Sequence, residues 1–187
     1  ILTGVLIITA IAFWRIKLPV ISHADNDNTD TTSENSIFKH SNLLYGALAI
    51  FLYVGAEVSI GSFLVNFFAE SHIADLNEHQ ASKMVSYYWG AAMIGRFVGA
   101  ALMRYISPIY LLAGNAMMVI VLIAVTVTSD GTVAMWSILC VGFFNSIMFP
   151  TIFTLAIKGL GSLTGRGSGL LCQAIVGGAI LPMFQGI

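Results

Sequence analysis

The sequence predicts an all-α fold, a polytopic membrane helix bundle, on three observations. Of its 187 residues 57% are hydrophobic and only 9% charged, where soluble domains average roughly 45–50% and about 25%. Apolar stretches long enough to be spans recur along the chain, and the polar residues gather between them. Eight Lys/Arg and nine Asp/Glu cannot cover the surface of a soluble protein of this size. The same balance excludes a disordered chain, a nucleic-acid binder with a basic face and an ordinary soluble enzyme.

The elements follow in chain order. An apolar run from Ile1 to about Trp14 has no charged leader, so it does not read as a signal peptide. It is too short to span, and residues 1–21 are expected to be the end of a membrane helix in a fragment of a longer chain. Residues 22–41, SHADNDNTDTTSENSIFKHS, are polar, acidic and poor in large apolar side chains, which makes them a linker. A membrane helix needs about 20 mostly apolar residues. Five stretches meet that test, at about 42–68, 83–106, 108–128, 132–158 and 167–186, and form a bundle over 42–187. They lack strand-like alternation, so helices are expected. Turn chemistry explains the breaks: a polar loop from Glu70 to Ser82, then Ser107-Pro108, Ser129-Asp130-Gly131 and a Gly-rich turn over 159–166.

Orientation follows from Lys and Arg, which are enriched in short cytoplasmic loops. Threading six helices puts Arg15, Lys17, Lys39, Arg104, Lys158 and Arg166 on one side and leaves only Lys83 on the other. The linker is therefore expected to be cytoplasmic.

Two charged residues, Glu57 and Arg96, lie deep within the spans. A charge at mid-bilayer costs roughly 2.5–3.5 kcal/mol on insertion scales, so each needs a partner or a water-filled cavity. At about 100° per residue, Tyr53, Glu57 and Gly61 share one helix face, and Trp89, Met93 and Arg96 share another. On one reading Glu57 lines a polar cavity and accepts hydrogen bonds from a hydroxyl-rich solute, with Tyr53 and Trp89 packing on its ring. On the other, Glu57 and Arg96 pair and only fix two helices. From the cytoplasmic helix ends Glu57 lies about 20 Å deep and Arg96 about 15 Å, at 1.5 Å per residue, a gap arginine can bridge.

A second cluster is GFFNSIMFPTIFTLAI, residues 142–157. Asn145 stands one turn before Phe149, and Pro150 interrupts the hydrogen-bond ladder, which membranes tolerate beside cavities or polar neighbours. Either Asn145 and the freed backbone face a solute while the kink at Phe149-Pro150 gates access, or Asn145 is interhelical glue and Pro150 an ordinary kink. Gln173, mid-helix in SGLLCQAIVGG, is a further candidate for the cavity. Gly95/Gly99, Gly165/Gly169 and Ala174/Gly178 have the spacing that lets helix backbones touch. No GxSxG, Walker, HExxH or GxGxxG pattern occurs, all four histidines lie outside the spans, and Cys140 and Cys172 sit in apolar runs without a CxxC partner. No catalytic residue, metal site or cofactor is expected.

The order of YVGAEVSIGSFL, YYWGAAMIGRFVGAAL, NSIMFPTIFTLAIKGLG and GSGLLCQAIVGGAILP after a basic-flanked helix and an acidic linker resembles the C-terminal half of a major facilitator superfamily transporter. More narrowly it resembles the bacterial fucose–galactose–glucose:H+ symporters with their glucose/galactose and N-acetylglucosamine branches. The resemblance implies a chain running from the end of helix 6 through helix 11 of that fold, in the bacterial inner membrane, with the N-terminal half of the same protein as its partner. It implies import of a monosaccharide by proton symport through alternating access, with no nucleic acid and no enzymatic step. The family's proton-coupling carboxylates belong to the N-terminal half, so Glu57 is not expected to be the proton site. A glutamine stands at the position of Glu57 in the fucose branch, and the acidic form fits the glucose/galactose branch. A transporter of another polar solute, or a non-transporting membrane sensor on the same bundle, remains the alternative.

Overall fold

The computed structural model describes residues 40–186. The expected helix end over 1–21 and nearly all of the linker lie outside the described residues. Regular structure among the described residues is entirely helical.

Helix α1 (Ser41–Ala69) is 29 residues long and carries no Lys or Arg and a single acidic residue, Glu57. At 1.5 Å per residue it extends about 43 Å. A loop follows in which Asp75 takes a positive φ of 47°, and the Gly131 N–H donates to the His72 carbonyl, tying this loop to the turn before α4 (2.9 Å). Helix α2 (Glu78–Leu102) begins with a capping box. The Gln80 N–H donates to Asn77 Oδ1 (2.9 Å) and the Asn77 N–H returns to Gln80 Oε1 (3.4 Å), satisfying two otherwise orphaned donors. Helix α3 (Pro108–Thr128) starts on a proline at its first turn, where the missing N–H costs nothing.

The expected stretch over 132–158 folds as two helices, α4 (Gly131–Asn145) and α5 (Met148–Ile157), separated by Ser146 and Ile147. After a 3-10 turn (Gly161–Leu163), the stretch over 167–186 is likewise divided, into α6 (Thr164–Ala174) and α7 (Gly177–Gln185). At that second break the N–H groups of Ile175 and Val176 donate to Cys172 (3.2 Å) and Gln173 (3.1 Å), three residues back, the tighter pattern of a 3-10 turn. By length and apolarity, α1, α3, the pair α4–α5 and the segment Gly161–Gln185 are long enough to cross a membrane. Helix α2 has the length, at 25 residues, but carries Glu78, Lys83 and Arg96.

Helix α1 is the hub, packing against α2, α5, α6 and α7, while α3 lies on α4 and α5. The closest approach is at Gly177, where an added Cβ would overlap the backbone carbonyl of Phe51. Gly95 and Gly99 meet Phe143, Ser146 and Ile147 at the α4–α5 break, and Gly178 meets Val54 and Val58, whereas Gly165 and Gly169 face open space. Of the three small-residue pairs in the sequence, the one over 165–169 therefore makes no helix contact among the described residues.

Candidate functional site

Two apolar clusters leave a polar layer between them. In the first, Leu64 and Phe68 of α1 pack with Ala81 and Tyr88 of α2 and with Ala134, Ile138 and Val141 of α4. In the second, Leu43, Ile50 and Val54 of α1 pack with Ile152 and Ala156 of α5 and Leu171 of α6. Glu57 and Ser59 on α1, Asn145 at the end of α4 and Ser146 in the break after it fall in the interval between the clusters. Asn145, Ser146 and Thr151 are all buried, so their polar atoms need partners.

Carbonyl accounting at the break explains which side chains gather there. Pro150 has no N–H to give to the Ser146 carbonyl four residues back. Arg96 of α2 supplies the missing donor, its Nε–H reaching Ser146 O at 3.3 Å. The Tyr53 hydroxyl of α1 donates to the Asn145 carbonyl at 2.8 Å. Ser146 Oγ donates to Phe143 O (2.7 Å) and Thr151 Oγ1 to Ile147 O (2.6 Å). Side chains from two neighbouring helices thus complete a backbone that cannot complete itself.

Glu57 stands one turn beyond Tyr53, half-buried, and within electrostatic reach of both the Tyr53 hydroxyl and the Arg96 guanidinium. Among the described residues no ion pair joins Glu57 and Arg96. A further turn along α1, Gly61 lies against the Trp89 indole, which a Cβ there would meet at 3.4 Å. Trp89 is 48% exposed and crosses Tyr88 edge to face, with ring centroids 5.4 Å apart. Tyr53, Glu57 and Trp89 thus follow one another along one side of α1, with Arg96 at the Tyr53 end, on the carbonyl next to the one that Tyr53 holds. Pro150 lines a groove of about 360 Å³ with Arg96, Thr151 and Thr154. Phe149 packs toward the second apolar cluster, its ring 6.1 Å from Phe153. Gln173, in the last turn of α6, is exposed, and among the described residues no side-chain hydrogen bond joins it to the polar layer.

One member of the layer escaped the sequence reading. Tyr88 is 1% exposed, and its hydroxyl has no hydrogen-bond partner among the described residues. It lies within reach of the Asn145 carboxamide and the field of Glu57. Its ring lies over Gly142, where a Cβ would meet Tyr88 carbons at 2.9 and 3.0 Å. The sequence offered a faint signal: an aromatic triplet, Tyr87-Tyr88-Trp89, opposite a glycine one turn before a buried amide.

Comparison with known proteins gives this geometry its context. The Major Facilitator Superfamily matches residues 1–182. A glucose/galactose transporter of Brucella abortus is 52% identical over 179 residues, covering 96% of this chain and 43% of the relative. A putative glucose/galactose transporter of Helicobacter pylori is 45% identical over 181 residues, again 43% of its length. The crystal structure of the Escherichia coli fucose:proton symporter superposes with a TM-score of 0.88 at 27% identity, over 98% of this chain and 45% of that one. The chain thus spans less than half the length of these relatives, which are named as transporters or symporters and not as enzymes. A superfamily match along nearly its whole length, carried on a bundle with this helix order, places the chain in the Major Facilitator Superfamily as a multi-pass membrane protein.

Proposed function

We propose that the protein containing this chain imports a monosaccharide of the glucose/galactose type by proton symport. The chain supplies one half of the sugar path, and the coupling carboxylates belong to the other half. The observation that carries the reading is Glu57: a carboxylate within a membrane helix, half-buried between two apolar clusters, flanked by Tyr53 and Trp89 and in no ion pair with Arg96. Such a group is costly in a membrane and is kept for function. An ionised carboxylate accepts paired hydroxyl hydrogens more strongly than a neutral amide, and a half-exposed indole offers an apolar face to a sugar ring. The names of the relatives at 52% and 45% identity support the substrate class; that of the fucose:proton symporter supports proton coupling. In this reading Glu57, Tyr53 and Trp89 contact the sugar, with Asn145 at the end of α4 and Gln173 at the edge of the path. Arg96, Pro150 and Phe149 shape the break. The bacterial inner membrane is the setting, with residues 22–41 on the cytoplasmic side, a placement the Lys/Arg distribution supports.

The test is uptake of labelled glucose, galactose, fucose and N-acetylglucosamine by the full-length protein in cells lacking their own sugar carriers, with and without an uncoupler. Concentrative uptake of glucose or galactose, abolished by the uncoupler, is expected. Glu57→Gln should lower uptake by roughly 10- to 100-fold at unchanged membrane levels, the loss of one charge-assisted hydrogen bond. No uptake of any of the four sugars, with protein confirmed in the membrane, overturns the reading.

A further inference from the structure

Helices α1 and α3 both lean on α5. Between them, at the end of the bundle where α1 and α3 begin and α5 stops, runs a groove of about 730 Å³. Its walls are apolar, with Ala49 on α1, Ile109 and Leu112 on α3, and Ile152 and Leu155 on α5. Its floor is closed, because Gly46 brings α1 so tightly against Ala156 that an added Cβ would overlap it. Along α1 the groove runs from Asn42 to Ala49, about 10 Å at 1.5 Å per residue. One end is polar. Lys158, the residue that ends α5, lines it and is exposed. Among the described residues no ion pair or side-chain hydrogen bond takes up its ammonium. Tyr45, 72% exposed, also lines the groove, and no carboxylate does.

An apolar trough that ends at an unpaired cation has the polarity of a phospholipid, with a hydrocarbon chain along it and a phosphate at its mouth. Lysine near a membrane surface attracts anionic lipid, and tyrosine sits at headgroup level with its ring toward the chains. One wall belongs to α3, whose apolar stretch is only 6% buried within the chain, so hydrocarbon is the medium on that side. A sugar would find almost no hydrogen-bond partners along such walls. We propose that this groove seats one anionic phospholipid, an acyl chain lying between α1 and α3 over α5, and the phosphate on Lys158 with the Tyr45 hydroxyl donating to it. The site shares no residue with the Glu57 layer, and nothing in it depends on which solute the protein carries.

The experiment titrates the full-length protein, purified in detergent, with phosphatidylglycerol or phosphatidylcholine and counts bound lipid by native mass spectrometry. The first phosphatidylglycerol should bind the wild type roughly 3- to 10-fold more tightly than phosphatidylcholine, the worth of one lysine at a membrane surface. Lys158→Gln should remove that preference and leave phosphatidylcholine binding as it was. Ile109→Trp, which fills the trough from an exposed position on α3, should weaken both lipids. Lys83→Gln, in the first turns of α2 outside the groove, should change neither. Glycerol 3-phosphate, which has a phosphate and no chain, should not displace the lipid. The proposal is overturned if the wild type holds the two lipids alike, or if Lys158→Gln or Ile109→Trp binds phosphatidylglycerol as the wild type does. Displacement by glycerol 3-phosphate would overturn it as well, by making the site one for a free phosphate. So would a wild type that retains no lipid, the result expected if another helix of the full-length protein or a second copy covers the groove. Sugar uptake is a separate measurement, so failure of the transport reading and failure of this inference are told apart.

Discussion

Helices α3 and α4–α5 are neighbours of comparable length with opposite uses of their residues. Only 6% of the apolar stretch of α3 is buried within the chain, against 50% for Gly131–Ile157. Yet α3 is the more hydrophobic of the two, and Thr126 is its one buried residue. The broken span holds Asn145, Ser146 and Thr151 in its interior. In a membrane the apolar surface faces lipid and asks for little specificity, while polar groups and packed glycines turn inward, where each needs a particular partner. Hydrophobicity therefore marks where this protein can change freely, and polarity marks where it cannot.

Matched substitutions on the two spans test that contrast. The largest difference should come from glycine. Gly142→Leu drives a side chain into the Tyr88 ring and backbone and should cost about 3 kcal/mol or more, an overpacking penalty at the severe end. Gly114→Leu on α3 meets nothing within 4 Å and should be neutral or slightly stabilising, since leucine is the better helix former. Size-exclusion profiles and melting temperatures of the purified variants distinguish them. Equal behaviour would mean that α3 is as tightly packed as α4.

A smaller difference is expected between tyrosines. Tyr53→Phe strips the Asn145 carbonyl of its donor and should cost about 1–3 kcal/mol. Tyr110→Phe, at a position 75% exposed on α3, should stay within about 0.5 kcal/mol. Denaturant midpoints in detergent give both values, and a silent Tyr53→Phe would remove α1 from the support of the break.

A finer test probes why the span is broken. Arg96→Leu should cost about 1 kcal/mol by orphaning the Ser146 carbonyl. Pro150→Ala restores a backbone N–H four residues from that carbonyl, so adding it to Arg96→Leu should recover much of the loss in melting temperature. Failure to recover would show that Arg96 acts through something other than Ser146. The smallest effect is expected on the lipid side, where Met117→Leu, at 68% exposure, should shift stability by less than about 0.5 kcal/mol.

The sequence carries the outline of this site because its key members stand out chemically. Glu57 and Arg96 are conspicuous as charges in apolar runs, and Pro150 as a proline in a helix. What they do to one another is less legible. The sequence leaves open an ion pair between Glu57 and Arg96, whereas Arg96 serves a carbonyl, and a backbone acceptor has no letter of its own. Tyr88 is hidden because a tyrosine beside a tryptophan has the composition of any packed core. The division of α6 from α7 is hidden too, since Ile175-Val176-Gly177-Gly178 lies in an apolar run with no proline at the bend itself. Gln173, an amide in an apolar run, is exposed among the described residues, and sequence spacing alone does not say what its side chain faces.

The paired donors at the α4–α5 break have a mechanical consequence. A kink left to its own unpaired carbonyls would be a free hinge, able to flex in any direction. Here one carbonyl is pinned by Tyr53 from α1 and the next by Arg96 from α2. The joint is therefore steered: α4 and α5 cannot change their mutual angle without pulling on one pin or the other, so the direction of bending is set by α1 and α2.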